Sequence, residues 1–349
     1  MKVLILGGTR FLGRALVEEA LKRGHEVTLF NRGNNSDVFP NVEQLTGDRN
    51  GDVSQLENRK WDVVMDTCGM TPIQIKKIAD VLKDNVEHLT YISSISVYPD
   101  WIPLNIAEDY HVHSIPPEDV LKKIEKGAVS PYEYYGGMKV ACEVETEKHW
   151  PNQVLNVRAG LLVGSYDYTD RLPYWVQRVA QGGTVLVPGR PDRAVQFIDV
   201  KDMAAWALTM AENRKSGTFN VTGPGYELTM EEFLNTCKAV TGSDAEFVWA
   251  DEQFMMDQKV QPWTEMPLWI PEEFALGGAS EPWKGSSFIS IKKAVEDGLS
   301  FRPLEDTISD IYQCVQARQD EDWKAGISRE REQELLEAWQ PANKQSEVF

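Results

Sequence analysis

Long apolar runs are missing from this chain of 349 residues. No segment approaches the roughly 18 uninterrupted apolar residues of a membrane span, and the opening run Met1 to Leu6 stops at Gly7, too short for a secretory leader. Cysteine is scarce: Cys68, Cys142, Cys237 and Cys314 are scattered, with no CxxC pair. That excludes a disulfide scaffold and a zinc ribbon, and reads as free thiols in a reducing compartment. The five histidines (His25, His88, His111, His113, His149) show no metal spacing, and His111-x-His113 has no third ligand nominated, so no metal site is expected. His25 precedes a strand and His88 starts one, which suits structural roles. Basic residues are outnumbered, 36 Lys plus Arg against 54 Asp plus Glu, for a net charge of −18. Such a chain repels phosphate backbones and anionic lipid. We expect a soluble, cytoplasmic protein whose partner is a small molecule rather than a membrane or a nucleic acid. Internal repeats and low-complexity segments are absent as well.

What is present is a strand–helix alternation. Val3-Leu4-Ile5-Leu6 is a short buried strand ending in glycine, and Leu12, Leu16, Ala20 and Leu21 recur at helical spacing until Gly24. Val27 to Phe30, Val63 to Met65 and Leu89 to Ile92 read as further strands, with a helix carrying Ile75, Ile78, Val81 and Leu82 between the last two. This order predicts an α/β fold, a Rossmann-type doubly wound parallel sheet covered on both faces. The length suggests roughly two domains of about 150 residues. We assign residues 1–165 to a dinucleotide-binding domain, with returning segments near 194–222 (Val195 to Val200 and Thr218 to Val221). Residues 166–315, rich in glycine, proline, Trp and Met, form a smaller interleaved substrate domain. Residues 316–349 form a C-terminal surface helix, around Leu335, Leu336 and Trp339, with a loose tail. The stretch from Trp249 to Trp283 either packs that small domain, the simpler account, or walls an apolar pocket.

Chemistry gathers at the strand ends. Gly7-Gly8-Thr9-Arg10-Phe11-Leu12-Gly13 joins the first strand to the first helix. Glycines there allow close backbone approach, and the helix N-terminus offers free N–H groups to a pyrophosphate. Arg10 stands where a middle glycine is usual. The second strand ends Phe30-Asn31-Arg32-Gly33, with no acid for the ribose hydroxyls. An acid would repel a 2′-phosphate and arginines would hold it, so we expect NADP with NAD as second choice, Arg10 and Arg32 facing the phosphate. Asp48 and Arg49 end the third strand, where Asp48 suits the adenine amine; Thr67, Cys68 and Gly69 end the fourth, along the cofactor. Ser93 and Ser94 end the fifth. Tyr135 stands four residues before Lys139, so on a helix the two share a face. The ammonium would lower the phenol's pKa, and a serine hydroxyl reaching the same substrate oxygen would orient it.

In this order, the Gly-rich turn, the Ser93-Ser94-Ile95-Ser96-Val97-Tyr98 strand end, the Tyr135/Lys139 pair, Arg158 to Gly164 and Gln196 to Asp202 resemble the extended short-chain dehydrogenase/reductase family, over residues 1–225. More closely the chain resembles an atypical bacterial branch labelled NAD-dependent epimerase/dehydratase or reductase. The resemblance implies a hydride-transfer enzyme in which Ser94 orients the substrate, Tyr135 is acid/base, and Lys139 binds the nicotinamide ribose and tunes Tyr135. It also implies a nucleotide-sugar epimerase as the alternative, a homodimer as the usual assembly, and a substrate-diphosphate region around Arg171, Arg178 and Arg193. Ile95 and Ser96 replace the acid pair of the family's sugar-nucleotide dehydratases, which disfavours that chemistry. Ser94 and Tyr135 are 41 positions apart, wider than the family's spacing, and the inserted residues 101–130 are a lid or a surface loop. The turn also resembles that of chloroplast stem-loop RNA-binding proteins, which lose the Tyr/Lys pair. A non-catalytic dinucleotide-sensing or RNA-binding protein is therefore the rival of another class.

Overall fold

The computed structural model describes residues 1–276, 278–318 and 323–346. Its strands, in chain order, are β1 (Lys2–Leu6), β2 (Glu26–Asn31), β3 (Glu43–Thr46), β4 (Trp61–Asp66), β5 (Val86–Ser94), β6 (Val154–Ala159), β7 (Leu162–Val163), β8 (Thr184–Pro188), β9 (Ala194–Val195), β10 (Ile198–Asp199), β11 (Gly217–Val221), β12 (Leu228–Thr229) and β13 (Glu246–Ala250). The helices are α1 (Phe11–Lys22), α2 (Pro72–Leu82), α3 (Glu118–Glu125), α4 (Tyr135–His149), α5 (Arg171–Ala180), α6 (Val200–Glu212), α7 (Met230–Thr241), α8 (Glu252–Asp257), α9 (Lys292–Glu296), α10 (Leu304–Ala317) and α11 (Arg329–Ser346).

Seven parallel strands form the central sheet in the order β11-β6-β5-β4-β1-β2-β3. The order reverses at β1, where ligands of open α/β sheets bind at the carboxyl edge. The alternation within β1 shows why both faces are covered. Val3 and Ile5 pack with Leu16 and Val17 of α1 and with Met203 and Ala207 of α6. Leu4 and Leu6 pack on the other face with Ile75 and Ile78 of α2 and with Cys142 of α4. A strand buried on both sides reads as a continuous apolar run, as β1 does.

The chain returns to this layer late in the sequence. Thr218 to Val221 lies in β11 and completes the sheet beside β6, and α6 packs against α1. The stretch from Val195 to Val200 does not join the sheet. It breaks into β9, paired with β12, and β10, paired with β7. A second core lies in the C-terminal half, where Trp175, Phe233, Met255 and Trp269 are fully buried. Most of the Trp- and Met-rich stretch therefore packs this core. The C-terminal helix lies at the surface with one face packed inward: Leu335, Leu336 and Trp339 enter the same core, and Trp339 meets the ring of Phe254 at 4.9 Å. Residues 347–349 of the expected tail lie outside the described residues.

The 101–130 insertion divides in two. Its first part is tied into the fold: Trp101 packs edge-on to Trp283 at 5.2 Å, and His113 N–H donates to the Val97 carbonyl at 2.8 Å. A side chain at Gly137 would meet the Ser114 carbonyl at 2.8 Å, so the insertion lies directly on α4. Its second part, α3, is largely exposed.

Candidate active site

The turn after β1 is built by glycine. Gly7 and Gly8 stand at φ +104° and +90°, a region L side chains rarely adopt. A side chain at Gly13 would strike the Gly8 backbone nitrogen at 2.7 Å, so glycine there lets α1 press onto the strand. Phe11 holds φ +41° at the helix start, a strained setting of the kind found at ligand clamps. The N–H groups of the first helical turn, including those of Phe11, Leu12 and Gly13, have no partner within the helix. The Leu12 side chain is buried in the core, so only its backbone can face a ligand.

At the end of β2 the Asn31 side-chain oxygen accepts from Gly33 N–H at 2.7 Å, while its buried Nδ2 has no partner. Arg32 is exposed and makes no hydrogen bond, ion pair or ring contact among the described residues. A bare backbone cradle, an orphaned amide donor and an uncommitted guanidinium fit a dinucleotide. Asp48 is exposed, its carboxylate accepting from Asn50 N–H. Arg49 turns inward instead: it grips Asp66 with two bonds of 2.7 Å and donates to the Cys68 sulfur at 3.1 Å. Asp66 also accepts from Cys68 N–H and Gly69 N–H at 3.0 and 2.9 Å, which shapes the turn after β4. Thr67 Oγ1 donates to the Leu6 carbonyl at 2.8 Å. Thr67 and Cys68 therefore border Gly7, with the Cys68 sulfur 3.8 Å from the place a Gly7 side chain would take, while Gly69 lies against Ile75 and Tyr91.

Ser94, Tyr135 and Lys139 come together. Ser94 ends β5 and its hydroxyl donates to Ser96 Oγ at 3.1 Å. Tyr135 and Lys139 lie one turn apart on α4, with the ammonium 5.9 Å from the centre of the Tyr135 ring. Burial pushes the Tyr135 phenol up, the neighbouring Ser94 hydroxyl pulls it back, and the Tyr132 and Tyr168 phenols push upward again. The acidified phenol expected from the spacing is thus not found. Lys139 is occupied: it donates to the carbonyls of Ile92 and Gly69 at 2.8 and 3.0 Å and to Tyr91 Oη at 3.2 Å. Burial depresses this ammonium, and Cys142 and Asp66 oppose the effect.

Behind this wall lies a polar network that motif reasoning missed. Glu143, one turn beyond Lys139, accepts from Ser93 Oγ at 2.6 Å and from Arg158 at 2.9 and 3.1 Å. Arg158 also donates to Tyr98 Oη and to the Glu108 carbonyl, and Tyr98 donates to Asn220. Asn220 N–H reaches the Glu108 carboxylate at 2.8 Å, tying the insertion to β11. The positions 135, 139 and 143 share one helix face, a signal that could have nominated Glu143.

The three arginines of the C-terminal half differ. Arg178 is buried and spent on Glu332 and the Gly182 carbonyl. Arg193 is buried and donates to the Leu268 carbonyl at 2.8 Å. Arg171 is half-buried, stacks on Trp263 at 5.1 Å, and lies near Asp167 and Tyr168. Among the described residues no group of three His, Cys, Asp or Glu is placed to hold a metal, and no helix is long and apolar enough to cross a membrane.

The fold and the glycine cradle are those of a dinucleotide-dependent enzyme of the short-chain dehydrogenase/reductase type. The chain belongs to the NAD dependent epimerase/dehydratase family, which it matches over residues 3–222. It is similar to the chloroplast stem-loop binding protein of 41 kDa b of Arabidopsis thaliana, at 25% identity over 333 residues, 89% of this chain and 77% of that protein. Its fold is similar to UDP-N-acetylglucosamine 4-epimerase from Bacillus cereus, with TM-score 0.61, 18% identity, and coverage of 93% of this chain and 99% of that one. UDP-glucuronic acid 4-epimerase from Bacillus cereus, solved in complex with NAD, gives TM-score 0.63, 16% identity, and coverage of 90% and 99%.

Proposed function

We propose that the protein transfers hydride between a nicotinamide cofactor and a carbonyl or carbinol carbon, with Tyr135 exchanging the proton. The observation that carries this is the convergence of Ser94, Tyr135 and Lys139 beside the glycine cradle. When bound, the cofactor supplies the hydride acceptor or donor. Tyr135 gives its phenolic proton to the substrate oxygen or takes it back, and Ser94 holds that oxygen by a hydrogen bond. In this reading the Lys139 ammonium, 5.9 Å from the Tyr135 ring, favours the phenolate by its charge once the cofactor is bound, against the burial that raises the phenol at rest. To reach a ribose hydroxyl Lys139 must release one of its three present acceptors. Arg171, half-buried over Trp263, is the residue we assign to an anionic group of the substrate.

NADP is the cofactor we assign, because β2 ends without an acid and Arg32 stands free there. NAD is the named ligand of the similar Bacillus cereus epimerase. Epimerisation of a nucleotide sugar is the second reading of the same site, favoured by that likeness. The net charge of −18 opposes the RNA-binding rival that the stem-loop relative suggests.

Deuterated NADPH, incubated with keto and hydroxy nucleotide sugars, tests the proposal. Net transfer of deuterium into product, abolished in Tyr135→Phe, supports reduction. Interconversion of epimers without net cofactor turnover selects the second reading. Turnover that survives Tyr135→Phe undiminished overturns the acid/base assignment.

A further inference from the structure

The segment between β7 and α5, residues 164–170, lies across the start of α1. Its backbone is strained at two side-chain-bearing positions, Tyr166 and Asp170, with φ +64° and +63°. Both of its exposed tyrosines are set on arginines of the glycine turn's helix. The Tyr166 ring faces the Arg14 guanidinium at 3.8 Å. The Tyr168 ring faces the Arg10 guanidinium at 5.3 Å and meets Phe11 edge-on at 6.0 Å. On its other side Tyr168 meets the C-terminal segment, whose Lys324 ammonium is 5.7 Å from the ring and donates to the Tyr168 carbonyl at 3.0 Å. Asp170 anchors the same segment, accepting from Arg318 at 2.6 Å and from Lys324 N–H at 3.1 Å. The Tyr168 phenol also lies near enough to Tyr135 to raise that phenol's proton affinity.

We propose that Tyr168 is a positioning residue of the dinucleotide site, holding Arg10 over the glycine turn to receive the cofactor's diphosphate. The inference rests on the cofactor reading above and divides the labour of two arginines. Arg10, held by a ring that reaches towards Tyr135, serves the diphosphate that NAD and NADP share. Arg32, free at the end of β2, is left for the 2′-phosphate that only NADP carries. A guanidinium stacked on an aromatic face keeps its N–H edge available to an anion, so Tyr168 orients Arg10 without consuming it. By their positions in the chain Arg10 and Arg32 look like one pair; the ring contacts separate them.

Titration calorimetry of nucleotide-stripped protein with NADPH and NADH tests this in wild type, Arg10→Ala, Tyr168→Ala, Tyr168→Phe and the Arg10→Ala/Tyr168→Ala double variant. Tyr168 is half exposed, and an unchanged melting temperature checks that each variant is folded. Loss of a partly exposed cation–π contact should weaken both nucleotides roughly three- to fivefold in Tyr168→Ala. Tyr168→Phe, which keeps the ring, should stay within about twofold. The double variant should bind no worse than Arg10→Ala, because Tyr168 acts through Arg10. Unchanged or tighter binding in Tyr168→Ala, or losses that add in the double variant, overturns the inference. An Arg10→Ala effect confined to NADPH also overturns it, placing Arg10 on the 2′-phosphate. Wild-type protein that binds neither nucleotide overturns the cofactor reading itself, and the inference falls with it.

Discussion

The two parts of the candidate site are built in opposite ways. The wall that carries Tyr135 and Lys139 is packed and saturated: Lys139, Asp66, Glu143 and Arg158 are buried, and each is engaged by several hydrogen bonds. The side that carries Arg10 and Arg32 is exposed, with Arg10 on a ring and Arg32 without a partner among the described residues. The difference teaches where rigidity is needed. The proton exchange proposed for Tyr135 needs a phenol held within a fraction of an ångström, and its helix is fastened from behind. The cofactor binding proposed for Arg10 and Arg32 needs arginines that can trade a weak partner for a ligand. Changes on the wall should therefore cost chemistry or folding, and changes on the open side should cost affinity alone.

The largest effect should come from Tyr135→Phe. Loss of a general acid/base lowers turnover by about 10²- to 10⁴-fold. Stopped-flow absorbance of the nicotinamide should show this loss with the nucleotide Kd unchanged; an equal fall in affinity would blur the contrast between the two sides. Next, Arg49→Met strands the buried Asp66 carboxylate, and removing one partner of a buried pair costs about 3–5 kcal/mol. Urea unfolding near neutral pH measures it. The pH dependence sharpens the point. Burial would raise Asp66, but the Arg49 guanidinium beside it and the backbone N–H donors more than offset this and hold the carboxyl below its ordinary value. Its contribution is present above the unfolded value of about 3.9 and is lost as pH falls through the folded one. Acid unfolding of Arg49→Met should accordingly begin at a higher pH than in wild type.

On the open side, Arg32→Ala should weaken NADPH by roughly tenfold while leaving NADH and the melting temperature unaltered. A matching loss for NADH would remove the 2′-phosphate assignment. The smallest effect lies away from both sides, at the seam between α6 and α10. Burial lifts Asp202 to about 6, against the hydrogen bond from Arg302 N–H. An acid raised in this way weakens the fold as pH rises through that value. Asp202→Asn should raise the melting temperature by about 1–2 °C at pH 8 and leave it unchanged at pH 4, after discounting for partial exposure. Calorimetric scans at the two pH values check it.

What the sequence makes legible follows from how local each feature is. The β1 run, the glycine turn and the Tyr135/Lys139 spacing depend on residues within a few positions, and each lies where its pattern implies. The Arg49–Asp66 grip and the Glu143–Arg158–Tyr98–Asn220 network join residues 15 to 122 positions apart, and no spacing rule reaches them. Arg49 resembles a cofactor ligand because it ends a strand at the carboxyl edge; only the fold shows that Asp66 takes it. The α11 helix is polar along most of its length and exposes most of its described side chains. Three apolar residues at helical spacing, Leu335, Leu336 and Trp339, suffice to seat it. Tyr168 leaves no trace in the local pattern, since its partners on the glycine turn are more than 150 positions away.

The most direct test of the contrast is one titration of nucleotide-stripped wild-type protein with NADPH beside NADH. An open side prepared for a phosphorylated dinucleotide predicts saturable binding of both, about tenfold tighter for NADPH. Binding of neither nucleotide, at concentrations where the protein remains folded, would contradict it.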